Sequence, residues 1–263
     1  MTDLPDYERP PVVEVAVAVQ FVPLPQFGMR EAVAVSRAFE GWDVVDVLPA
    51  LEPMVEPPPG HVVAPELRFG LGNPPVRVIL SSEGSHWVAQ VQQDRVAAHE
   101  RKIAERPSFG NVSPQLASVA ARAARALDTP LLDEPHRPEM VEVVYENEIL
   151  AGEGWRDLSE MDQVLRVFSD AAGAEPYEAF EQAQIGFAYS LIEDDRFLGR
   201  LRVIADPQAD PSGSQSIHLR LISRRIVDNH DLDSVLEQCH ADIVLGFTAV
   251  TTERMHEIWG RKK

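Results

Sequence analysis

Two stretches decide how this chain is read: "PPVVEVAVAVQF", residues 10 to 21, and "RPEMVEVVYENEI", residues 137 to 149. Both carry the core P-x-x-V-E-V with a glutamate at its centre. In the first, Val13, Val15, Val17, Val19 and Phe21 fall on one side, and Glu14, Ala16, Ala18 and Gln20 on the other. That is the period-two alternation of a strand with one face on a core. Pro10 and Pro11 set its start and Pro23 and Pro25 end it, because proline cannot donate to a ladder. A strand written twice implies two related modules, the second beginning where the opening pattern returns.

Working outward, "VRVILSSEGSHWVAQVQQDRV" (76–96) reads as a hairpin turning at Glu83-Gly84, with Val76, Val78, Leu80, Trp87, Ala89 and Val91 inward. "FGMREAVAVSRAFEGW" reads as a helix whose inner stripe holds Met29, Val33, Ser36 and Phe39 or Glu40. "SPQLASVAARAARAL" reads as a helix with Ser113 as N-cap and Pro114 at its first position. Its stripe is Leu116, Val119, Ala120, Ala123 and Leu127. "LSEMDQVLRVF" reads as a helix with Leu158, Met161, Leu165 and Phe168 inward. "AQIGFAYSLI", "FLGRLRVIA" and "SIHLRLISR" read as strands, followed by one long helix from about Asp233 to Trp259. Each half then runs strand, helix, hairpin, helix, with one more strand in the second. The expectation is an α+β fold of two related modules, residues 1–130 and 131–263, with mostly antiparallel sheet and covering helices. Residues 49–75, carrying eight prolines, are read as a long excursion, either passive or a lid or partner-binding segment.

The 263 residues are 44% hydrophobic and 25% charged, the composition of an ordinary globular protein. No membrane-spanning run and no secretory signal is visible, and the lone Cys239 excludes an intrachain disulfide. A cytoplasmic setting is expected. The formal charge of −18 disfavours nucleic acid as the main partner, since polyanion binders work by neutralising phosphates.

The segments "YERPPVVEVAVAVQF", "WVAQVQQDR", "VEVVYENEI" and "LDSVLEQCHADIVLGFTAVTTERMHEIWG" together resemble a sporadically distributed family of uncharacterised bacterial proteins. The marks of the resemblance are Pro10-Pro11, Gln90-x-Gln92-x-Asp94-Arg95, Tyr145-x-Asn147, and His240 followed by Phe247. Where that family has an Asn-Trp-Arg element, this chain has His99-Glu100-Arg101. The resemblance implies a cytoplasmic bacterial protein and brings no catalytic residues.

Dinucleotide, P-loop, zinc-protease and nucleophile-elbow patterns are all incomplete. "DNHDLD" groups Asp228, His230 and Asp231 as candidate metal ligands, although its place before a helix gives its aspartates capping work instead. His240 lies at the edge of the apolar stripe of the last helix, with His218 the other candidate base. No cofactor is called for. Gln90, Gln92 and Arg95 form a polar row that faces solvent or a ligand. The strongest positive signal is basic. Arg200 and Arg202 share one strand face, and His218, Arg220 and Arg224 share another. If those strands pair, four arginines and a histidine gather on one surface, either suited to carboxylates or phosphates of a ligand or simply neutralised by Asp194, Asp195 or other local acids. The expected function is non-catalytic recognition of a partner protein or acidic peptide, by a homodimer. A hydrolase or transferase acting on an anionic substrate is the alternative, and nucleic-acid binding in a bacterial conflict system a third.

Overall fold

The computed structural model describes residues 4–61, 75–103, 105–168, 184–209, 213–228 and 231–262. Alternating valines do what their pattern requires. β1 (Val12–Phe21) turns Val15, Val17, Val19 and Phe21 into the core, each fully buried. It lies at the middle of one nine-stranded antiparallel sheet with order β2-β3-β4-β5-β1-β6-β9-β8-β7. The other strands are β2 (Trp42–Pro49), β3 (Val76–Ser82), β4 (Trp87–Gln92), β5 (Arg95–Arg101), β6 (Pro138–Leu150), β7 (Ile185–Glu193), β8 (Arg196–Ala209) and β9 (Gln215–Ile226). The helices are α1 (Met29–Arg37), α2 (Phe109–Leu127), α3 (Leu232–Val250) and α4 (Glu253–Ile258).

The long helices pack on one side of the sheet, α2 over β5 and β1, and α3 over β6, β9 and β8. Their apolar stripes and the inward strand residues make one continuous core, running from Val78 and Leu80 at one end to Leu201 and Val203 at the other. Among the described residues, no helix packs on the opposite side of the sheet. Among the described residues, no helix is long and apolar enough to cross a membrane.

Several elements differ from the sequence reading. In α1 the buried residues are Ala32 and Val35, while Met29 and Val33 are exposed, so the inward face is rotated from the stripe the sequence suggested. β2 and β5 are strands that the sequence reading left unassigned, so among the described residues five strands precede β6 rather than three. Ser108, not Ser113, caps α2, accepting from the Asn111 N–H, and Pro114 sits inside the helix. Leu158, Met161, Leu165 and Phe168 are all buried as expected, but Leu158, Met161 and Phe168 lie on 3₁₀ turns and Leu165 between them bridges to Thr251. The last helix is not continuous. Thr251 is extended and Thr252 caps α4, which returns His256 to the interior, 2.8 Å from Thr251 Oγ1.

Candidate functional site

On the open face of the sheet, β8 and β9 pair with Arg200 opposite Arg224 and Ile204 opposite Arg220. Leu201, Val203, Ile217, Leu219 and Leu221 point into the core. Alternation therefore delivers Arg200, Arg202, His218, Arg220 and Arg224 to one surface, as their spacing requires. Each is met by a carboxylate of its own chain. Arg220 Nε donates to Glu146 at 2.5 Å, and Arg224 Nε to Glu142 at 2.5 Å. His218 lies 3.8 Å from Glu148. The neutralising acids come from β6 and from the proline-rich segment, rather than from Asp194 and Asp195.

The decisive acid is Glu56. Its side chain is wholly shielded from solvent, and its Oε2 accepts from Arg200 Nη1 and Arg202 Nη2, both at 2.8 Å. Its Oε1 lies 2.5 Å from Arg202 Nη1, in a contact without hydrogen-bond alignment, and 3.7 Å from Arg224 Nη1. Burial alone would raise the carboxyl's pKa, but the bonds from Arg202 and Arg200 outweigh it and hold the group below its usual range.

Glu56 belongs to a strap that crosses the sheet strand by strand. Gln92 on β4 pairs with Leu51 both ways, Oε1 accepting its N–H at 3.0 Å and Nε2 donating to its carbonyl at 3.1 Å. Arg95 on β5 donates to the Glu52 carbonyl at 2.8 Å. Gln20 on β1 repeats the two-way pair with Met54, at 2.6 and 3.1 Å. Glu56 then meets β9 and β8, and Arg200 donates to the Pro57 carbonyl at 2.6 Å. From β4 to β8 is five strand spacings, about 24 Å. Six extended residue steps reach about 20–22 Å, so the strap must run nearly straight, with side chains spanning the rest. Pro53, Pro57 and Pro58 suit that course, since each fixes φ and biases its predecessor to an extended backbone. Met54 and Glu56 point inward and Val55 outward, the alternation of an extended peptide.

Beside the strap lies a groove of about 270 Å³, floored by Ala16, Ala18, Ala97, Val144 and Ile222. Its walls are charge pairs. Glu14 accepts from His99 at 2.8 Å and from Arg101 at 3.1 Å, and Glu146 faces Arg220. Gln90 stands at its margin, 3.4 Å from His99 Nε2.

The remaining candidates fall elsewhere. His240 is on α3, on the helix side of the sheet, bonded through Nδ1 to the Tyr145 hydroxyl at 3.0 Å. Tyr145 and Glu146 are consecutive on β6, so His240 and the arginines occupy opposite faces and do not form one site. Asp228 is ion-paired with Arg196. Asp231 occupies the N-cap position of α3 without a side-chain cap bond, and His230 lies outside the described residues. Among the described residues, no three His, Cys, Asp or Glu side chains are grouped to hold a metal ion. Burial pushes the Cys239 thiol up to about 12, as befits a small apolar core residue. Sequence reasoning missed Gln20, Met54 and Glu56. The prolines of "EPMVEPPP" signalled extended backbone, but nothing in its residue types showed that Met54 and Glu56 turn inward while Val55 turns out. Compared with family models, curated proteins and solved structures, the chain matches none.

Proposed function

We propose that the open sheet face recognises an extended, acidic peptide segment of a partner protein, and that Leu51–Pro57 is its resident internal occupant. The observation that carries this reading is the way the strap is held. Gln92 and Gln20 each grip a backbone N–H and C=O, contacts that any extended chain offers. Arg200, Arg202 and Arg224 surround a single carboxylate, the contact that selects an acidic side chain. The strap competes with an incoming segment for the same groups, so its grip sets how much of the site is open.

The same reading takes the chain as a cytoplasmic bacterial protein of the resembled family, built by duplication of a module. What supports duplication is the register of the central pair. Ala16 pairs with Val144, while Glu14 pairs with Glu146 and Ala18 with Glu142. Glu14 and Glu142 thus stand symmetrically about one point, in the same phase as the repeated P-x-x-V-E-V core. Each also meets a basic side chain on its outer neighbour, Arg101 or Arg224.

The test is a fluorescein-labelled peptide of residues 50–60, followed by anisotropy. Glu56→Ala removes the internal competitor's anchor and should bind the peptide at least about tenfold tighter than the unmodified chain, a shift of about 1.4 kcal/mol. The double variant Arg202→Ala/Arg224→Ala should bind weakly or not at all. Equal affinity in all three proteins would remove the proposal.

A further inference from the structure

On the helix side of the sheet, apart from the peptide face, a cavity of about 250 Å³ lies between the start of α2, the middle of α3 and strands β6 and β9. The N-terminal segment from Leu4 to Pro10 closes one side. Its wall is largely apolar, with Phe109, Ile243, Val244 and Phe247 prominent. The charged groups that line it are engaged elsewhere: Arg106 donates to the Glu8 carbonyl at 2.9 Å, and Asp6 faces Lys262 at 3.5 Å.

Three polar side chains converge inside. The Tyr145 hydroxyl lies 3.0 Å from His240 Nδ1. Of the two groups the phenol O–H is the stronger donor and the bare imidazole nitrogen the stronger acceptor, so the phenol's proton is directed to Nδ1. The neutral imidazole then carries its proton on Nε2. Burial lowers the His240 pKa and raises that of Tyr145, so both groups hold this neutral arrangement at pH 7. The imidazole stacks on Phe109, centroids 4.6 Å apart and rings 4° from parallel, which fixes its direction. No described residue bonds Nε2.

Asn147 supplies the complementary group. It is 2% exposed, and its Nδ2 donates to the Leu219 carbonyl at 2.9 Å. That bond settles the amide's orientation, because two carbonyl oxygens cannot pair. Asn147 lines the cavity, and its Oδ1 is buried with no described donor in reach. A buried acceptor without a donor is costly, and such groups mark places where a ligand completes the pairing.

We propose that this cavity binds a small neutral molecule with an apolar body and a carboxamide-type edge, its N–H to Asn147 Oδ1 and its C=O to His240 Nε2–H. A charged ligand is disfavoured by the cost of burial among apolar walls. The size admits a fragment about as large as one aromatic ring with an amide.

The test uses benzamide as the probe and toluene as its apolar counterpart, followed by ¹⁵N NMR of the intact chain. Benzamide should shift the Asn147 side-chain amide and His240 Nε2, and bind about tenfold tighter than toluene, the margin two net hydrogen bonds supply. His240→Phe preserves the stack on Phe109 and removes the donor, so it should abolish benzamide's advantage while toluene still binds. Val244→Trp should fill the space and exclude both probes. Unmoved Asn147 and His240 resonances at the solubility limit of benzamide overturn the proposal. So does equal affinity for the two probes, or an advantage that survives His240→Phe in a variant whose other amide shifts are unchanged.

Discussion

Glu56 is the residue on which the open face turns. Three guanidinium groups converge on one solvent-shielded carboxylate, so its removal leaves like charges facing each other. Glu56→Ala should destabilise the fold by about 1–3 kcal/mol. The upper figure is near the cost of breaking a buried ion pair, and it falls as the freed arginines regain water. For a chain of this size that is a loss in Tm on the order of 2–12 °C, and an unchanged Tm at pH 7 would show that the cluster is not under this constraint. The pH dependence follows from the same group. Its folded pKa is depressed below the ordinary value of 4.5. Its contribution is therefore complete above pH 4.5 and is lost as pH falls through the lower folded value. The stability gap between Glu56→Ala and the unmodified chain should close over that acid range. At this scale the sequence was half legible. Alternation alone placed Arg200, Arg202, His218, Arg220 and Arg224 together, because a strand's period fixes sidedness. Glu56 was not legible, since its partners are 144 and 146 residues away and nothing local in a proline-rich run encodes such a contact.

Among the elements, β8 depends on a glycine at the point where it carries the arginines. Gly199 has φ +150°, and a Cβ there would stand 1.9 Å from the Arg224 carbonyl oxygen of β9. Backbone cannot yield as a side chain can. Gly199→Ala should cost about 3 kcal/mol or more in urea denaturation, from backbone strain together with overpacking. Gly246 on α3 is the contrast. Its added Cβ would meet Leu201 Cδ2 at 2.5 Å, the tip of a flexible side chain, and alanine regains about 1 kcal/mol of helix propensity. Gly246→Ala should therefore cost no more than about 2 kcal/mol. A larger loss for Gly246→Ala than for Gly199→Ala would contradict this account of how β8 is held. Strands were more legible than helix ends. The hairpin of β3 and β4 follows from its turn and its alternation. The phase of α1 was misread because the exposed pair Met29 and Val33 is at least as apolar as the buried pair Ala32 and Val35, so hydrophobicity did not single out the inward face. The break before α4 was hidden because Thr251 and Thr252 carry no proline or glycine. Their hydroxyls replace the lost helical bonds instead, Thr251 Oγ1 donating to the Phe247 carbonyl and Thr252 Oγ1 capping the new helix.

At the scale of the molecule, one sheet separates two environments. Helices seal one side into a continuous core, with the cavity of Tyr145, Asn147 and His240 at its margin. Among the described residues, the other side carries a strap of extended backbone, held by side chains rather than by a ladder. A strap so held opens at lower cost than a paired strand, because opening it breaks a few side-chain contacts and leaves the sheet intact. Replacing residues 51–57 with a Gly/Ser run should leave the sheet folded, by far-ultraviolet circular dichroism, and raise the affinity for the peptide of residues 50–60 beyond that of Glu56→Ala. Loss of the sheet signal would instead make the strap a structural member.

The most direct measurement is hydrogen exchange at the amides of Leu51 and Met54, whose acceptors are the side chains of Gln92 and Gln20. Both should be protected in the free protein, and adding the unlabelled peptide in excess should remove their protection while Val15, Val17 and Val19 of β1 stay protected. Protection at Leu51 and Met54 that persists at saturating peptide would contradict this expectation.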